Sequence, residues 1–370
     1  MGCLKKIVFM SQEATLNAGG EISLVDLIRG LRNKYEVFCL VPKDGPLVKE
    51  FRKLKCSVIF CDVSWSRKLK YVVTNYYKLI KIAIKLKKIS PDLLYANAGY
   101  INPFGVKLAK ILKIRLITHI HAFFLPVDED RYQFGKTDAI ITNSEKVARA
   151  VNKFNVNVRV IQPAISSDKF NPKIKLLNKE IRRRLGFNDD EILIGNIGTI
   201  SEIKGYFEFV EVANEVLKEF PVAKFLIIGV TQDPVVIGKL KRKIKDYHLE
   251  EKIVFMGFVN EIENIFSILD VFLFPARYEA FGRVIIEAFA CKVPVISSKY
   301  GGPEEIIEDR KDGFLFEIGD ILGMTRCVIE LIKNRELADR IAENAYQKFT
   351  DRFTVERMIS KIDNVIMDLI

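Results

Sequence analysis

Residues 270–305 read DVFLFPARYEAFGRVIIEAFACKVPVISSKYGGPEE. The run Val271–Phe274 is short, apolar and closed by a proline, as expected of a buried parallel strand. A helical segment, Gly282–Cys291, and a second apolar strand, Val293–Ser297, follow it. This alternation of strand, loop and helix predicts a parallel α/β sheet, and such sheets bind ligands at the carboxyl ends of their strands.

Glu287 conflicts with a purely structural interpretation of that helix. Its neighbours are apolar nearly all round, which predicts a buried helix. A buried carboxylate is costly unless it is paired. Two kinds of partner are open: a protein cation such as Arg283, one turn earlier, or the ribose hydroxyls of a bound nucleotide.

The surrounding motif carries a family resemblance. Glu279 and Glu287 form the pattern E-x7-E within RYEAFGRVIIEAFACKVPVISS, and GGPEEIIEDRKDG follows. This combination resembles the signature of the retaining glycosyltransferases of the family-4 type, which have the GT-B fold. The resemblance covers nearly the whole chain and is strongest over residues 190–320. It implies two Rossmann-like, doubly wound α/β domains that face each other across a cleft.

The resemblance also implies a division of labour along the chain. Residues 1–168 are expected to form an acceptor-binding domain and residues 169–350 a nucleotide-sugar-binding domain. Residues 351–370 are expected to form a helix that packs back on the first domain. The implied reaction moves a sugar from a nucleoside-diphosphate sugar to a hydroxyl of a glycan or lipid-linked glycan, with retained anomeric configuration.

The site residues follow from the positions that match the family motif. Glu279 would face the donor sugar and Glu287 the ribose, while backbone N–H groups at the start of the helix could hold a phosphate. His121, Glu279 and Lys204 are the predicted catalytic residues. The predicted donor-binding residues are Gly19, Gly20, Gly198, Thr199, Lys204, Phe258, Val259, Glu279, Ala280, Phe281, Gly282, Arg283, Val284 and Glu287.

A second phosphate-binding pattern lies near residue 200. A strand at 192–197 leads to Gly198, then to Lys204 and a helix, which combines an ammonium group with N–H donors. The family has an arginine directly after the first glycine, whereas this chain has Thr199. We therefore expect Lys204 to be the main cation, with Arg277 or Arg283 as possible compensation for the missing one.

The first half contains two weaker candidates. Gly19 and Gly20 follow a strand and begin a helix, which fits either an anion cradle or a plain tight turn. His121 ends another strand; an isolated histidine there is either a reacting group or a core residue. The resemblance favours the site role for both. His119 has the same strand parity and is the second choice for the histidine.

The segment 66–90 is basic and amphipathic. It contains eight lysines and arginines, no aspartate or glutamate, and apolar residues at helical spacing. Such a helix suits an anionic membrane surface, with each nearby cation contributing roughly 1 kcal/mol. The alternative is an ordinary helix that packs on the sheet while its lysines extend into water.

Composition limits the other possibilities. The 370 residues, 49% of them hydrophobic, suit two domains with full cores. The net charge of +11 favours an anionic partner, but no nucleic-acid-binding motif is present, so nucleic acid is not expected. No apolar run has the length of about 18 residues that a spanning helix needs. We expect a cytoplasmic protein, peripheral at most on the inner face of the membrane.

Neither a metal nor a cofactor is expected. The six cysteines lack CxxC spacing, and the three histidines form no ligand cluster. The segment 128–130 has the letters of the DxD metal motif of the other glycosyltransferase fold, but not its context. The loop 123–134 around it is a candidate for contact with the acceptor.

Two alternatives to the transferase remain open. One is another enzyme with the GT-B fold, such as a nucleotide-sugar epimerase or a sugar-phosphate synthase. The other is a non-catalytic protein that binds a nucleotide sugar or a membrane, an alternative raised by Thr199 in place of the family's arginine.

Overall fold

The chain folds into two compact units. The computed structural model describes residues 4–16, 19–121, 131–231 and 233–370. The first unit comprises Met1–Ala164 and Val355–Ile370, and the second comprises Ile165–Thr354. The predicted boundaries after residues 168 and 350 differ from these divisions by four residues each. Each unit contains one parallel sheet between layers of helices, so the predicted Rossmann-like α/β class is confirmed.

The first sheet has the strand order β3-β2-β1-β4-β5-β6-β7. The order reverses between β1 and β4, and doubly wound sheets bind ligands at this point of reversal. Its strands are β1 (Lys6–Met10), β2 (Glu36–Val41), β3 (Ser57–Phe60), β4 (Leu93–Ala96), β5 (Arg115–Ile120), β6 (Ala139–Thr142) and β7 (Asn157–Val160).

Helices cover both faces of this sheet because its strands are apolar on both sides. In β1, Ile7 and Phe9 enter the core on one face, and Val8 and Met10 enter the core on the other. The helices between the strands are α1 (Gly19–Leu31), α2 (Pro46–Lys53), α3 (Val72–Ile89), α4 (Asn102–Leu112) and α5 (Glu145–Val151).

The second sheet has the order β10-β9-β8-β11-β12-β13. Its neighbouring strands also pair in parallel. The predicted strand 293–297 is observed at Val295–Ser298, so it begins two residues later and ends one residue later than predicted. The strands are β8 (Leu193–Ile197), β9 (Lys224–Ile228), β10 (Ile253–Gly257), β11 (Val271–Phe274), β12 (Val295–Ser298) and β13 (Phe314–Phe316).

Helices again lie on both faces of the second sheet. The central helix predicted over 282–291 is observed at Arg283–Ala290, with Gly282 as its N-cap residue. The helices of this unit are α6 (Asn178–Leu185), α7 (Tyr206–Val216), α8 (Pro234–Asp246), α9 (Ile262–Ile268), α10 (Arg283–Ala290), α11 (Gly302–Ile306), α12 (Ile321–Lys333) and α13 (Arg335–Arg352).

The last helix, α14 (Val355–Met367), belongs to the first unit. Its apolar residues share a core with those of α1, including Met358 and Ile362. Asp363 on its buried side accepts a hydrogen bond from the Tyr35 hydroxyl at 2.6 Å and pairs with Lys34 at 2.5 Å. Apolar packing and a buried carboxylate with two partners therefore hold this helix on the first unit.

A glycine permits the closest approach of two loops in the second unit. Gly205 follows β8 with a φ of 71°, and a Cβ atom built there would lie 1.9 Å from the carbonyl oxygen of Pro275, which ends β11. Only glycine accepts both this conformation and this contact without strain. Gly205 therefore sets how closely the loops after β8 and β11 can approach each other.

We predict that Gly205→Ala lowers the free energy of unfolding by more than about 1 kcal/mol, because both the backbone conformation and the space oppose a side chain. Gly238→Ala in α8 is the matched control, since, apart from the backbone of its own helix, no atom of the described residues lies within 4 Å of its Cβ position. The control is expected to stabilise slightly, by about 0.5–1 kcal/mol. Thermal melting of both variants checks this, and equal shifts would contradict the role given to Gly205.

Candidate functional site

Three neighbouring strands of the second sheet place their loops at one edge. The order β8-β11-β12 brings the carboxyl ends of these strands side by side. The loop after β8 carries Lys204, the loop after β11 carries Glu279, and the loop after β12 leads to Gly302 at the start of α11. Residues distant in sequence are thus gathered because parallel strands end at the same edge.

Lys204 and Glu279 form an ion pair at this edge. Lys204 Nζ lies 2.5 Å from Glu279 Oε2, and the side chains are 22% and 16% exposed. Lys204 Nζ also lies 5.8 Å from the centre of the Phe274 ring. An ammonium group with one carboxylate partner keeps further donors, so it can also bind an anion such as a diphosphate. The structure brings these two predicted catalytic residues together.

The start of α11 fixes the loop that carries Glu279. The N–H of Gly302 donates to the carbonyl oxygen of Glu279 at 3.0 Å. A Cβ atom on Gly302 would lie 1.9 Å from the carbonyl oxygen of Phe281, so the two backbones are in direct contact. Gly282, with a φ of 97°, then turns the chain into α10. These contacts orient the backbone between Glu279 and Arg283.

Glu287 has the protein cation as its partner. It lies in α10 with 7% of its surface exposed, and Arg283 Nε lies 3.1 Å from its Oε1. Burial raises the pKa of the Glu287 carboxyl, and the nearby Arg283 guanidinium opposes that rise. The first of the two partners considered from the sequence is therefore present, and binding of ribose hydroxyls stays a prediction.

The arginines proposed as compensation for Thr199 are both engaged by glutamates. Arg277 Nε donates to Glu208 Oε1 at 2.5 Å, and Arg283 pairs with Glu287. Glu208 is buried in α7. Glu208 was not among the predicted site residues, although a glutamate within the apolar run YFEFVEV is a signal of the same kind as Glu287.

The remaining predicted donor-binding residues occupy different environments in the same unit. Gly198 directly follows β8, and Thr199 beside it is exposed. Phe258, after β10, is 61% exposed, whereas Val259 packs against the core. In the loop before α10, Phe281 is buried and Ala280 is half-buried, and Val284 within α10 packs against the core.

Two buried side-chain oxygens in these strands have no hydrogen-bond partner among the described residues. They are Asn196 Oδ1 in β8 and Ser298 Oγ in β12. Buried polar atoms are normally hydrogen-bonded, so both are candidates for contact with a bound molecule. Neither residue was predicted from the sequence; the available signal was a polar residue inside the otherwise apolar strands LIGNI and VISS.

In the first unit, the structure places His121 against Gly20. A Cβ atom on Gly20 would lie 3.2 Å from His121 Cδ2. His121 Nε2 lies 3.1 Å from Asn97 Oδ1, and Asn97 Nδ2 donates to the carbonyl oxygen of Gly20 at 3.2 Å. Asn97 therefore links the end of β5 to the start of α1, where the adjacent Gly19 is also found.

These hydrogen bonds determine which ring nitrogen of His121 carries the proton. Because Asn97 Nδ2 donates to a carbonyl, Oδ1 faces the imidazole and requires a proton on Nε2. Burial lowers the pKa of His121 to about 4, so the ring is neutral at pH 7 and Nδ1 keeps its lone pair. The His119 ring lies 3.9 Å away, and its Nδ1 is 2.7 Å from the Tyr95 hydroxyl, which marks it as a core residue.

A pocket of about 340 Å³ opens beside the carboxyl ends of β1 and β3. Trp65 and Tyr100 supply aromatic surface, and Glu13 and Arg131 supply charges.

Glu21, at the start of α1, was not predicted as a site residue; burial raises its pKa, and the charge of Glu13 adds to the rise. Its signal was an acid directly after a glycine pair. Residues 122–130, with the DxD letters and most of the proposed acceptor loop, lie outside the described residues.

Among the described residues, no group of three or more histidine, cysteine, aspartate or glutamate side chains is arranged to hold a metal ion.

Two family models match the chain. The model described as "Glycosyl transferases group 1" matches residues 178–348, and the model described as "Glycosyltransferase Family 4" matches residues 18–169. The two matches lie in succession, and together they take in most of the chain.

Individual relatives have low sequence identity to this chain, but the matched regions are long. N-acetyl-alpha-D-glucosaminyl L-malate synthase of Bacillus anthracis is 23% identical over 315 residues, which are 78% of this chain and 78% of that protein. UDP-Gal:alpha-D-GlcNAc-diphosphoundecaprenol alpha-1,3-galactosyltransferase of Escherichia coli is 21% identical over 390 residues, 99% of this chain and 97% of that protein.

The solved structures include a full-length match. Anabaena Alr3699/HepE in complex with UDP and glucose has a TM-score of 0.86 at 21% identity, covering 99% of this chain and 100% of that one. The likeness shows that the fold is the GT-B fold expected from the sequence.

The lowered pKa of His121 predicts a pH dependence of stability. Its pKa is about 4 in the folded protein against 6.5 ordinarily, so only the unfolded chain binds the proton between these values. Stability therefore falls as the pH drops from 6.5 towards 4, by at most about 1.4 kcal/mol per pH unit for this group. We expect the melting temperature of His121→Gln to fall less between pH 7 and pH 5 than that of the parent protein. An equal loss in both proteins would contradict the assignment.

Proposed function

Since this chain belongs to the family-4 type of glycosyltransferases with the GT-B fold, we propose that it is a retaining enzyme that uses a nucleoside-diphosphate sugar. The observation that carries the donor assignment is the Lys204–Glu279 ion pair at the carboxyl ends of β8 and β11. The acceptor we propose is a hydroxyl of a glycan or of a lipid-linked glycan, as the name of the Escherichia coli relative suggests. The cytoplasmic location stays part of this proposal.

The donor diphosphate is assigned to Lys204. The ammonium group is partly exposed and, beside its bond to Glu279, keeps N–H donors that can bind an oxygen of the diphosphate. The N-terminus of α10 supplies further N–H donors. HepE was solved with UDP, which makes uracil the first base to test here.

The ribose is assigned to Glu287. Its carboxylate is buried, and burial disfavours its charge, so additional hydrogen bonds from ribose hydroxyls would stabilise the ionised form. Arg283 keeps the carboxylate oriented within α10. We assign the donor sugar to Glu279. This residue lies eight residues earlier, in the loop after β11, and is half-buried.

The proposed reaction proceeds on the front face of the donor sugar. The bond between the anomeric carbon and the diphosphate oxygen breaks, and the acceptor oxygen forms the new bond on the same face. The acceptor proton passes to the leaving diphosphate. Lys204 and the N–H groups of the helix stabilise the charge that develops on that diphosphate. The catalytic role of His121 rests on the family resemblance.

The acceptor is assigned to the pocket lined by Trp65, Tyr100 and Arg131 in the first unit. Aromatic faces combined with a few charged groups are typical of pockets that bind polar ring compounds. Its position beside β1 follows the rule that doubly wound sheets bind ligands near the reversal of strand order.

Product analysis tests the function itself. Incubation with a UDP-sugar and a glycan acceptor is expected to yield a new glycoside, and proton NMR is expected to show the anomeric configuration of the donor. A rearranged nucleotide sugar would instead indicate an epimerase, and a sugar phosphate product would indicate a synthase. Tight nucleotide binding without any transfer would favour a non-catalytic protein. The observation that supports this alternative is Thr199, at the position where the family has an arginine.

We predict that Glu287→Gln weakens nucleotide binding by about tenfold or more, because a hydrogen bond to a charged group contributes roughly 1.5–3 kcal/mol. The isosteric amide keeps an acceptor for Arg283 but removes the charge of a buried ion pair, so the melting temperature of the free protein is also expected to fall. Isothermal titration with UDP measures the affinity. Unchanged affinity would contradict the ribose assignment.

We predict that Lys204→Gln lowers kcat by about 10²–10³, the usual effect of removing a group that stabilises transition-state charge. The matched control is Lys243→Gln, which breaks the ion pair with Glu211 in the same unit. Steady-state kinetics should show normal turnover for the control. Equal activity in the two variants would exclude the role of Lys204.

A further inference from the structure

Helix α3 presents apolar residues on two opposite sides. Its inner side, including Leu79, Ile82 and Leu86, is buried in the core of the first unit. The helix ends at Ser90, whose left-handed conformation and φ of 54° terminate it before Pro91. This inner side accounts for the packing of α3, so the sheet does not require the apolar residues of the outer side.

The outer side carries a continuous apolar stripe. Val73 is 81% exposed, Tyr77 66%, Ile80 53% and Ile84 57%. Their spacing of four, three and four residues places them in one row along the helix. Leu69, in the turn before α3, is 88% exposed and extends the row. We call these five residues the exposed α3 face.

Lysines flank the exposed α3 face. Lys81, Lys85 and Lys88 lie beside the stripe and are exposed. No ion pair joins them to an aspartate or glutamate within the part of the chain that the structure describes. Lys78, which is turned towards the body of the unit, instead pairs with Asp62 at 3.1 Å.

We propose that the exposed α3 face docks on the surface of an anionic lipid bilayer. The helix would lie in the plane of the membrane, with the apolar row inserted at the acyl boundary and the lysines at the headgroups. The partner chemistry follows from the combination: an apolar row needs an apolar phase, and the flanking cations need anions that lie at its border. No helix in the described residues has the length and hydropathy to cross a bilayer.

Charge complementarity argues against two other occupants. In a symmetric pair of copies, the lysine rows of both copies would meet without intervening carboxylates, because residues 66–90 contain no acid. A nucleic acid would satisfy the lysines but would leave the apolar row without a partner. A bilayer with anionic headgroups satisfies both. This proposal is independent of the donor site and of the reaction.

Vesicle sedimentation tests the proposal on the full chain. Vesicles of phosphatidylcholine alone are compared with vesicles that also contain phosphatidylglycerol. We expect the protein to bind the anionic vesicles and to bind those of phosphatidylcholine alone at least about tenfold more weakly, because the headgroup charge attracts the lysines. A protein that stays in the supernatant with both would overturn the proposal.

Charge-reversed variants locate the surface. Lys81→Glu, Lys85→Glu and Lys88→Glu together are expected to weaken binding to anionic vesicles by at least about tenfold. The control makes the same change of charge on exposed positions of α8 and should keep most of the binding. It combines Lys241→Glu, Arg242→Glu and Lys245→Glu. An equal loss in the control would show attraction by net charge alone and would overturn the assignment to α3.

Apolar variants separate docking from simple attraction. Tyr77→Ser, Ile80→Ser and Ile84→Ser remove the apolar row and keep every lysine; we expect at least about tenfold weaker binding. The control changes three exposed apolar residues of the second unit to serine. It combines Leu176→Ser, Val222→Ser and Val235→Ser. Retained binding in the α3 variant, at the melting temperature of the parent protein, would overturn the proposal.

Sedimentation velocity tests whether a second copy of the chain binds the exposed α3 face. The parent protein should not associate through α3 in the absence of lipid. A dimer that the serine variant of α3 converts to monomer would overturn the proposal in favour of a second copy. Because lipid binding is measured without donor or acceptor, failure here leaves the proposed function untouched, and loss of activity leaves lipid binding untouched.

Discussion

Parallel strands place all their carboxyl ends at one edge of a sheet, and the candidate donor site depends on this constraint. In the second unit it gathers the loops after β8, β11 and β12. Gly205 lets the loops after β8 and β11 approach until the backbones touch at Pro275. Gly302 lets the loop after β12 approach the loop after β11 in the same way, at Phe281. The Lys204–Glu279 ion pair joins the two loops whose positions these contacts set. The close packing of backbone thus comes first, and the charged pair follows from it.

The fold and part of the site were predictable because their signals are local. The apolar run 271–274 and the helix after it follow directly from residue type and spacing. Glu287 was a visible conflict between a charge and a buried helix, and that conflict correctly demanded a partner. The same logic, applied to Glu208 in α7, would have demanded a partner, which the structure shows to be Arg277.

What the sequence did not reveal depends on contacts between distant segments. The hydrogen bond from His121 through Asn97 to Gly20 requires the ends of β4 and β5 and the start of α1 to be neighbours, which strand order decides. Likewise, the pattern of 66–90 showed an apolar and basic helix but not which residues the sheet would bury. The structure buries Leu79 and Ile82 and leaves Val73 and Tyr77 outside. Only tertiary packing separates the two sets.

The donor site proposed in the second unit binds the diphosphate of a nucleotide sugar. Melting of the full chain with UDP, GDP, ADP, CDP and dTDP, each with and without magnesium, tests it most directly. A ligand at about 100 times its dissociation constant stabilises a protein by roughly 2.7 kcal/mol, which raises the melting temperature measurably. We expect a clear rise with one nucleotide, present without magnesium and absent in Lys204→Gln. No rise with any of the five would contradict it.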